Sequence, residues 1–307
     1  MALAVGPHVA QFKRRFHAWW DGFEYVEAAE GEAADGAVAE TATAAQAARA
    51  TDDRWSPQRV RVAELIWGDG FNFPGGADAA LDLVKPFNLN QNKTLLDFGC
   101  GLGGGARVIA KTLGAWVEGL EPSATLAAEA IKAVGKSGLG KKVSIQAFDP
   151  AAGKLPNKRY DAIFGRQVLG LVKDKTALIT GLNNCLKPGG HIMIIEYALA
   201  AADADGPELR AWREAEDPGL APPTIELIAG ALKHEKINVR VAEDFAPNFK
   251  AQVLAGWARL AEEIKGKSVS AEEKPLLARE LDLWAKRIAA FDSGSLKLAR
   301  VHGIKKG

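Results

Sequence analysis

The chain has 307 residues but only two cysteines, Cys100 and Cys185, and they lack the spacing of a metal site. Cys100 lies among closely spaced glycines, where a disulfide would be awkward. Both thiols read as small buried apolar residues in a reducing, cytoplasmic compartment. Charge of one sign is also missing. There are 39 Lys and Arg against 38 Asp and Glu, a formal net charge of +1, which excludes the electrostatic footprint of a nucleic-acid binder. No apolar run approaches a membrane span. The first residues lack the apolar core and cleavage site of a secretory signal, so none is expected. The composition is otherwise ordinary for a globular chain, 48% apolar and 25% charged. The length allows one large domain with extensions.

What is present centres on Thr94 to Ala110, TLLDFGCGLGGGARVIA. Apolar Leu95 and Leu96 lead to Asp97, then Gly99, Gly101, Gly103, Gly104 and Gly105, then a helical run. This order reads as a buried parallel strand, a tight turn and a helix start with free N–H groups. Gly99, Gly101 and Gly104 fit the dinucleotide pattern G-x-G-x-x-G. Gly99, Gly101 and Gly103 behind Asp97 fit equally well the pattern of enzymes that bind S-adenosyl-L-methionine (SAM). The turn alone does not decide between them.

Toward the N-terminus, Val9, Phe12, Phe16, Trp19, Trp20 and Phe23 recur at helical steps, with Lys13, Arg14, Arg15 and His17 on other faces. Residues 1–26 are expected to hold this basic amphipathic helix. It can lie in a membrane interface through residues 9–23, or dock on the chain's own core or on a second subunit. Residues 27–52 are rich in Ala, Glu, Gly and Thr and read as a flexible linker. Residues 53–307 form the main domain. Its first part, 53–90, opens with a helical pattern that breaks at GDGFNFPGG, a loop bearing Trp67, Phe71 and Phe73. Those aromatics can form a lid over a site or pack on the domain's outer face.

Beyond the glycine turn, successive strands end in polar residues. Trp116–Leu120 ends at Glu121, Val143–Phe148 at Asp149, Tyr160–Phe164 at Arg166 and Gln167, and His191 onward at Glu196 and Tyr197. Ligands of open α/β sheets bind at the carboxyl ends of strands. Glu121 can accept from a ribose diol, and Asp149 from an adenine amino group with Phe148 over the ring. Alternation in Ile237–Val241, and a last strand from about Leu296 to His302, suggest an antiparallel edge pair. Residues 201–235, with Trp212 and Pro218, Pro222 and Pro223, are too long for a simple connection and are expected to build part of a substrate pocket.

Together LLDFGCGLGGG, VEGLEPS, AFDP and LKPGGHIMIIEY resemble a class I SAM-dependent methyltransferase, over about Trp55 to the C-terminus. Through LIWGDGFNFPGG and GRQVLGLVKDK the chain looks most like the phosphoethanolamine N-methyltransferase group. The resemblance implies a Rossmann-like, doubly wound α/β sheet of seven strands, mostly parallel with an antiparallel final strand, and a helical N-terminal extension. It implies SAM as cofactor, held by Asp97, Gly99, Gly101, Gly103, Glu121, Phe148, Asp149 and Arg166. Tyr197 matches a tyrosine that helps hold the phosphobase. The group's catalytic tyrosine and histidine are replaced by Trp55 and Leu171, and an aspartate by Gln167. An apolar side chain accepts no proton, and an amide does not pair with an ammonium as a carboxylate does. Trp55, Trp67, Phe71, Gln167, Leu171, Tyr197 and Trp212 therefore form the expected substrate set, suited to a more apolar small molecule or lipid.

Methyl transfer from a sulfonium is an in-line displacement that needs positioning and no metal. A base is needed only when the acceptor must lose a proton. His8, His17, His191, His234 and His302 are poorly placed for that work, which leaves Tyr197 and Glu196 as catalytic candidates. Two other readings stand beside this one. The chain can be a SAM-binding scaffold or regulator that has lost catalysis, or a nicotinamide-dependent oxidoreductase. Asp97 and the late alternating strands count against the oxidoreductase.

Overall fold

A computed structural model describes residues 54–152, 155–157, 159–217, 219–264, 270 and 272–307. The expected N-terminal helix and linker lie outside the described residues. Helix α1 (Pro57–Trp67) and helix α2 (Gly76–Val84) precede strand β1 (Thr94–Phe98). Then come α3 (Gly104–Leu113), β2 (Trp116–Glu121), α4 (Ala124–Lys136), β3 (Val143–Ala147), β4 (Tyr160–Arg166) and α5 (Lys175–Asn184). The chain continues through β5 (Leu186–Leu199), α6 (Pro207–Glu216), α7 (Ile225–His234), β6 (Ile237–Asp244), α8 (Ala246–Glu263), α9 (Glu273–Asp292) and β7 (Leu296–Lys305).

The seven strands form one sheet in the order β3-β2-β1-β4-β5-β7-β6. Pairs among β1 to β5 are parallel, and β7 runs antiparallel to both β5 and β6. This is the Rossmann-like sheet with a reversed last strand. The two late strands form the expected antiparallel pair at one edge of the sheet: β6 is the outermost strand, largely exposed beyond Ile237, and β7 lies between β5 and β6 and is buried over most of its length. Alternation marked β6 correctly. In β7, Leu296, Leu298, Ala299 and Val301 reach full burial because helices cover the sheet on both sides.

Strand side chains alternate between two cores, as period-two geometry requires. Leu95, Val117, Ala162, Phe164, Met193 and Ile195 join the core shared with α1, α3, α8 and α9. Leu96, Phe98, Leu120, Ile163, Ile192 and Ile194 join the core shared with α5 and α7. A large side chain fully buried in either core, such as Phe98 or Phe164, contributes about 2–3 kcal/mol by area. Several helix starts are fixed locally by a side-chain cap, as where Ser56, Ser123, Asp174 and Thr224 accept from backbone N–H groups.

The chain runs outward from β1 through β2 to β3, then crosses to the other side of β1 to form β4. The order therefore reverses between β1 and β4, and a crevice opens beyond their carboxyl ends. No helix among the described residues is long and apolar enough to cross a membrane.

His191 and His302 pair near the opposite end of the sheet. Their rings stack at 5.4 Å, with Nδ1 of His191 3.1 Å from Nε2 of His302. Burial, then neighbouring His191, Arg240 and Arg300, lower the His302 pKa to about 4. The folded chain thus favours the neutral ring, and acidification from pH 6.5 toward 4 loads a proton preferentially onto the unfolded state. Wild type is expected to lose stability relative to His302→Gln over that window, by at most about 1.4 kcal/mol per pH unit. Denaturant titrations of both proteins at pH 7.5, 6 and 5 check it; a constant difference would contradict the assignment.

Candidate functional site

The turn after β1 takes the left-handed backbone at Gly99, Gly101 and Gly103, with φ of +82°, +57° and +74°. Gly99 is the most constrained. A Cβ there would stand 2.1 Å from the Arg166 carbonyl oxygen at the end of β4. Glycine thus lets the two strand ends bordering the crevice close up. The N–H groups of Gly99 and Cys100 both donate to the Leu120 carbonyl, at 2.8 and 3.3 Å.

Glu121, the last residue of β2, fastens the turn. Its Oε2 accepts from the Gly101 N–H at 2.7 Å and its Oε1 from the Ser123 N–H at 2.9 Å. Burial raises its pKa to about 7 against the opposing effect of these two hydrogen bonds. The loop before α2 closes over the turn from outside. Gly104 N–H donates to the Gly70 carbonyl at 2.9 Å, and Leu102 N–H to Asn72 Oδ1 at 3.4 Å.

The crevice holds a cavity of about 480 Å³, within the ordinary range of small-molecule sites. Of the residues singled out in the sequence, Trp55, Gly99, Gly101, Glu121, Arg166, Gln167, Leu171, Glu196 and Tyr197 border it. The three positions that depart from the resembled group, Trp55, Gln167 and Leu171, are thus brought together from separate elements.

Others are held away from the cavity. Asp97 is fully buried behind the turn, and both its oxygens accept from Nη2 of Arg166, at 2.7 and 2.8 Å. Gly103 faces Ala130 of α4. Phe148 packs edge-on against Phe98, and Asp149 is exposed and accepts from the Ala151 N–H. Trp67 is in the core with Trp257 and Trp284 rather than on a lid, because α1 extends through it. Phe71 packs against the same core and borders a separate, smaller cavity near α2. Trp212 is fully buried; its ring lies 5.4 Å from that of Tyr197, and its Nε1 donates to Glu216. It supports a wall without facing the space.

Sequence reasoning missed a second set. Asn72, Arg54, Arg59, Glu216, Asp217, Leu220, Glu280, Trp284 and Arg287 also border the cavity, as does Phe73, one of the loop aromatics already singled out. Glu280, Trp284 and Arg287 share one face of α9 at steps of four and three, a spacing visible in the sequence that reads as ordinary packing. These residues come in ion pairs. Arg287 donates from Nε and Nη2 to both oxygens of Glu216, at 2.6 and 2.7 Å. Arg59 donates to Glu280 at 2.5 Å and stacks 4.4 Å above the Trp55 ring. Arg54 lies 3.9 Å from Asp217 and donates to the Ala215 carbonyl. Despite full burial, the paired Arg287 holds the Glu216 carboxyl below its ordinary range.

At the centre of this wall, Glu196 accepts from the N–H groups of Leu169 and Tyr197, at 2.7 and 3.2 Å. Burial raises its pKa to about 7. It belongs to a strand that continues to Leu199, so Glu196 and Tyr197 sit within β5 rather than at its end. Burial also pushes the Tyr197 phenol well up, keeping it protonated. The Gln167 amide approaches that phenol without reaching hydrogen-bonding geometry, and Tyr197 Oη and Gln167 Nε2 are both buried without a partner. Gln167 is fixed there by a left-handed backbone, φ +51°.

Comparison with known proteins gives the following. A family model described as a methyltransferase domain matches residues 76–245, more than half of the chain. Phosphoethanolamine N-methyltransferase 1 of Zea mays is 32% identical over 135 residues, which are 44% of this chain and 26% of that protein. Phosphoethanolamine N-methyltransferase 2 of Caenorhabditis elegans is 31% identical over 139 residues, 45% of this chain and 32% of the relative. The chain thus spans about a quarter to a third of the length of these curated relatives. Among solved structures, Haemonchus contortus phosphoethanolamine N-methyltransferase 2, in complex with S-adenosyl-L-methionine, superposes with a TM-score of 0.72 at 21% identity. That match covers 87% of this chain and 61% of the other, and establishes the likeness of fold.

The close approach at Gly99 makes a direct prediction. Gly99→Ala combines a left-handed φ with a backbone clash and is expected to destabilise the chain by at least about 2 kcal/mol. Gly138→Ala also has positive φ, but a Cβ there meets nothing within 4 Å. It should cost only about 1 kcal/mol. Thermal melts of the pair separate contact from backbone strain.

Proposed function

We propose that this chain, which belongs to the methyltransferase-domain family, transfers a methyl group from S-adenosyl-L-methionine to a small-molecule or lipid acceptor by in-line displacement without a metal. One observation carries the reading. The left-handed glycine turn and the Glu121 carboxylate border one cavity at the point where strand order reverses. When bound, SAM supplies a sulfonium methyl carbon. The acceptor's lone pair bonds to that carbon, the carbon–sulfur electrons stay on sulfur, and any acceptor proton leaves to a base or water.

The residues fit that cofactor. A Cβ at Gly99 or Gly101 would fill the cradle, meeting the Arg166 carbonyl or the Asn72 side chain. Gly99, Gly101 and Arg166 are assigned to the amino-acid end, and Glu121 to the ribose diol. Gly103, Asp97, Phe148 and Asp149 do not border the cavity. Asp97 therefore acts through Arg166, whose guanidinium it holds. In this reading the loop of residues 68–75 acts as the lid, supported by its hydrogen bonds to the glycine turn. The segment 201–235 builds pocket wall through Glu216, Asp217 and Leu220.

Glu196 is the base we assign for an acceptor that must lose a proton. It borders the cavity, and its pKa near 7 keeps a basic fraction at neutral pH. Tyr197 stays protonated and donates. Trp55, Leu171 and Leu220 supply an apolar side to the acceptor's place, which supports an acceptor less polar than a phosphobase.

Two measurements test the reading. Calorimetry should show S-adenosylhomocysteine binding that weakens as pH falls below about 7, where Glu121 protonates and stops accepting. Glu121→Gln should bind tenfold or more weakly at pH 8, the loss of about one charge-assisted hydrogen bond, and should flatten the pH dependence. Label from SAM added to a source-cell extract should enter an organic- or water-soluble small molecule. Binding without any labelled product would turn the reading to a scaffold.

A further inference from the structure

Resting on the methyltransferase reading, we infer that the acceptor is an uncharged molecule with a carbonyl-type oxygen, received by the Tyr197 phenol and the Gln167 amide. Among the described residues, every arginine bordering the cavity already has a carboxylate: Arg54 with Asp217, Arg59 with Glu280, Arg166 with Asp97 and Arg287 with Glu216. No described lysine borders it. The acceptor wall thus offers no spare cation for a phosphate or carboxylate. An anion arriving there would also face Glu196 and Glu216.

A cationic acceptor fares no better. The carboxylates that could receive it are engaged, Glu216 by a two-pronged guanidinium and Glu196 by backbone N–H groups. Breaking such a pair leaves a buried charge uncompensated. Neither sign of charge is matched.

Three neutral donors remain: Tyr197 Oη, Gln167 Nε2 and Trp284 Nε1 all belong to residues bordering the cavity and are buried with no partner in the protein. Of these, the Tyr197 phenol and the Gln167 amide lie close to each other, so that one oxygen can receive both. Buried donors without acceptors are rare and costly, and a ligand that satisfies them gains that cost back as affinity. Both can donate at neutral pH, the phenol because burial holds it protonated. A carbonyl oxygen has two lone pairs, enough to receive both. The flanking Trp55, Leu171, Leu220 and Trp284 suit an apolar or aromatic body.

The test uses four probes on protein saturated with S-adenosylhomocysteine: benzamide, benzoate, benzylamine and phosphoethanolamine. The first three share a ring and differ in charge. Saturation-transfer NMR titrations are expected to rank benzamide tightest. Tyr197→Phe and Gln167→Met should each weaken benzamide at least tenfold while leaving S-adenosylhomocysteine affinity unchanged, which also certifies the fold of each variant. A charged probe binding more tightly than benzamide would overturn the inference, as would no benzamide binding or an undiminished affinity in both variants. If S-adenosylhomocysteine itself fails to bind wild type, the methyltransferase reading falls first; if it binds and the ranking fails, only the acceptor class falls.

Discussion

The backbone of Gly99 and the carbonyl of Arg166 are close enough that not even a methyl group fits between them. The rest of the site follows from that contact. It brings the ends of β1 and β4 together at the place where the sheet changes direction. It turns the chain so that the Gly101 N–H meets Glu121 across the top of β2. It also sets Arg166 over its own strand, where the guanidinium reaches Asp97 behind the turn. Hydrophobic burial holds the sheet together, but this backbone contact decides where an open space remains.

The fold was legible in the sequence because each strand of a doubly wound sheet carries a local signature: an apolar run, then glycine or a carboxylate. Glu121, Gly99 and Gly101 were readable because their chemistry and their backbone needs coincide. Asp97, Phe148, Asp149 and Trp212 were harder to place. A sequence gives the end of a strand but not the rotation of a side chain about it, and two residues beyond β3 are enough to turn Asp149 to solvent. The ion-paired wall was hidden for another reason. Arg287 and Glu216 are separated by 71 residues and meet only after α6 and α9 pack together. Nothing local marks either as a pocket residue.

The cavity's two halves use charge differently. Beside the glycine turn, Glu121 accepts from backbone N–H groups and so shapes the turn. On the other side, arginines and carboxylates cancel in pairs and act as struts between α1, α6 and α9. A strut of opposite charges holds helices at fixed spacing while presenting little net field to the space it encloses. The polar character of that wall therefore comes from neutral groups, although charged residues are the more numerous there.

The placement of β7 has a consequence for how the chain acquires its shape. Among the described residues, strand β6 pairs only with β7, and β7 follows it by more than fifty residues. During synthesis β6 leaves the ribosome with no strand beside it, and β5 keeps a bare edge as well. Both edges wait for one late segment that must insert between them, antiparallel to each. Insertion into a gap closes a long loop before any ladder forms, so the entropic cost comes ahead of the gain. The C-terminal third of this sheet is therefore a keystone arrangement, in which the last strand made joins two surfaces that have no pairing with each other.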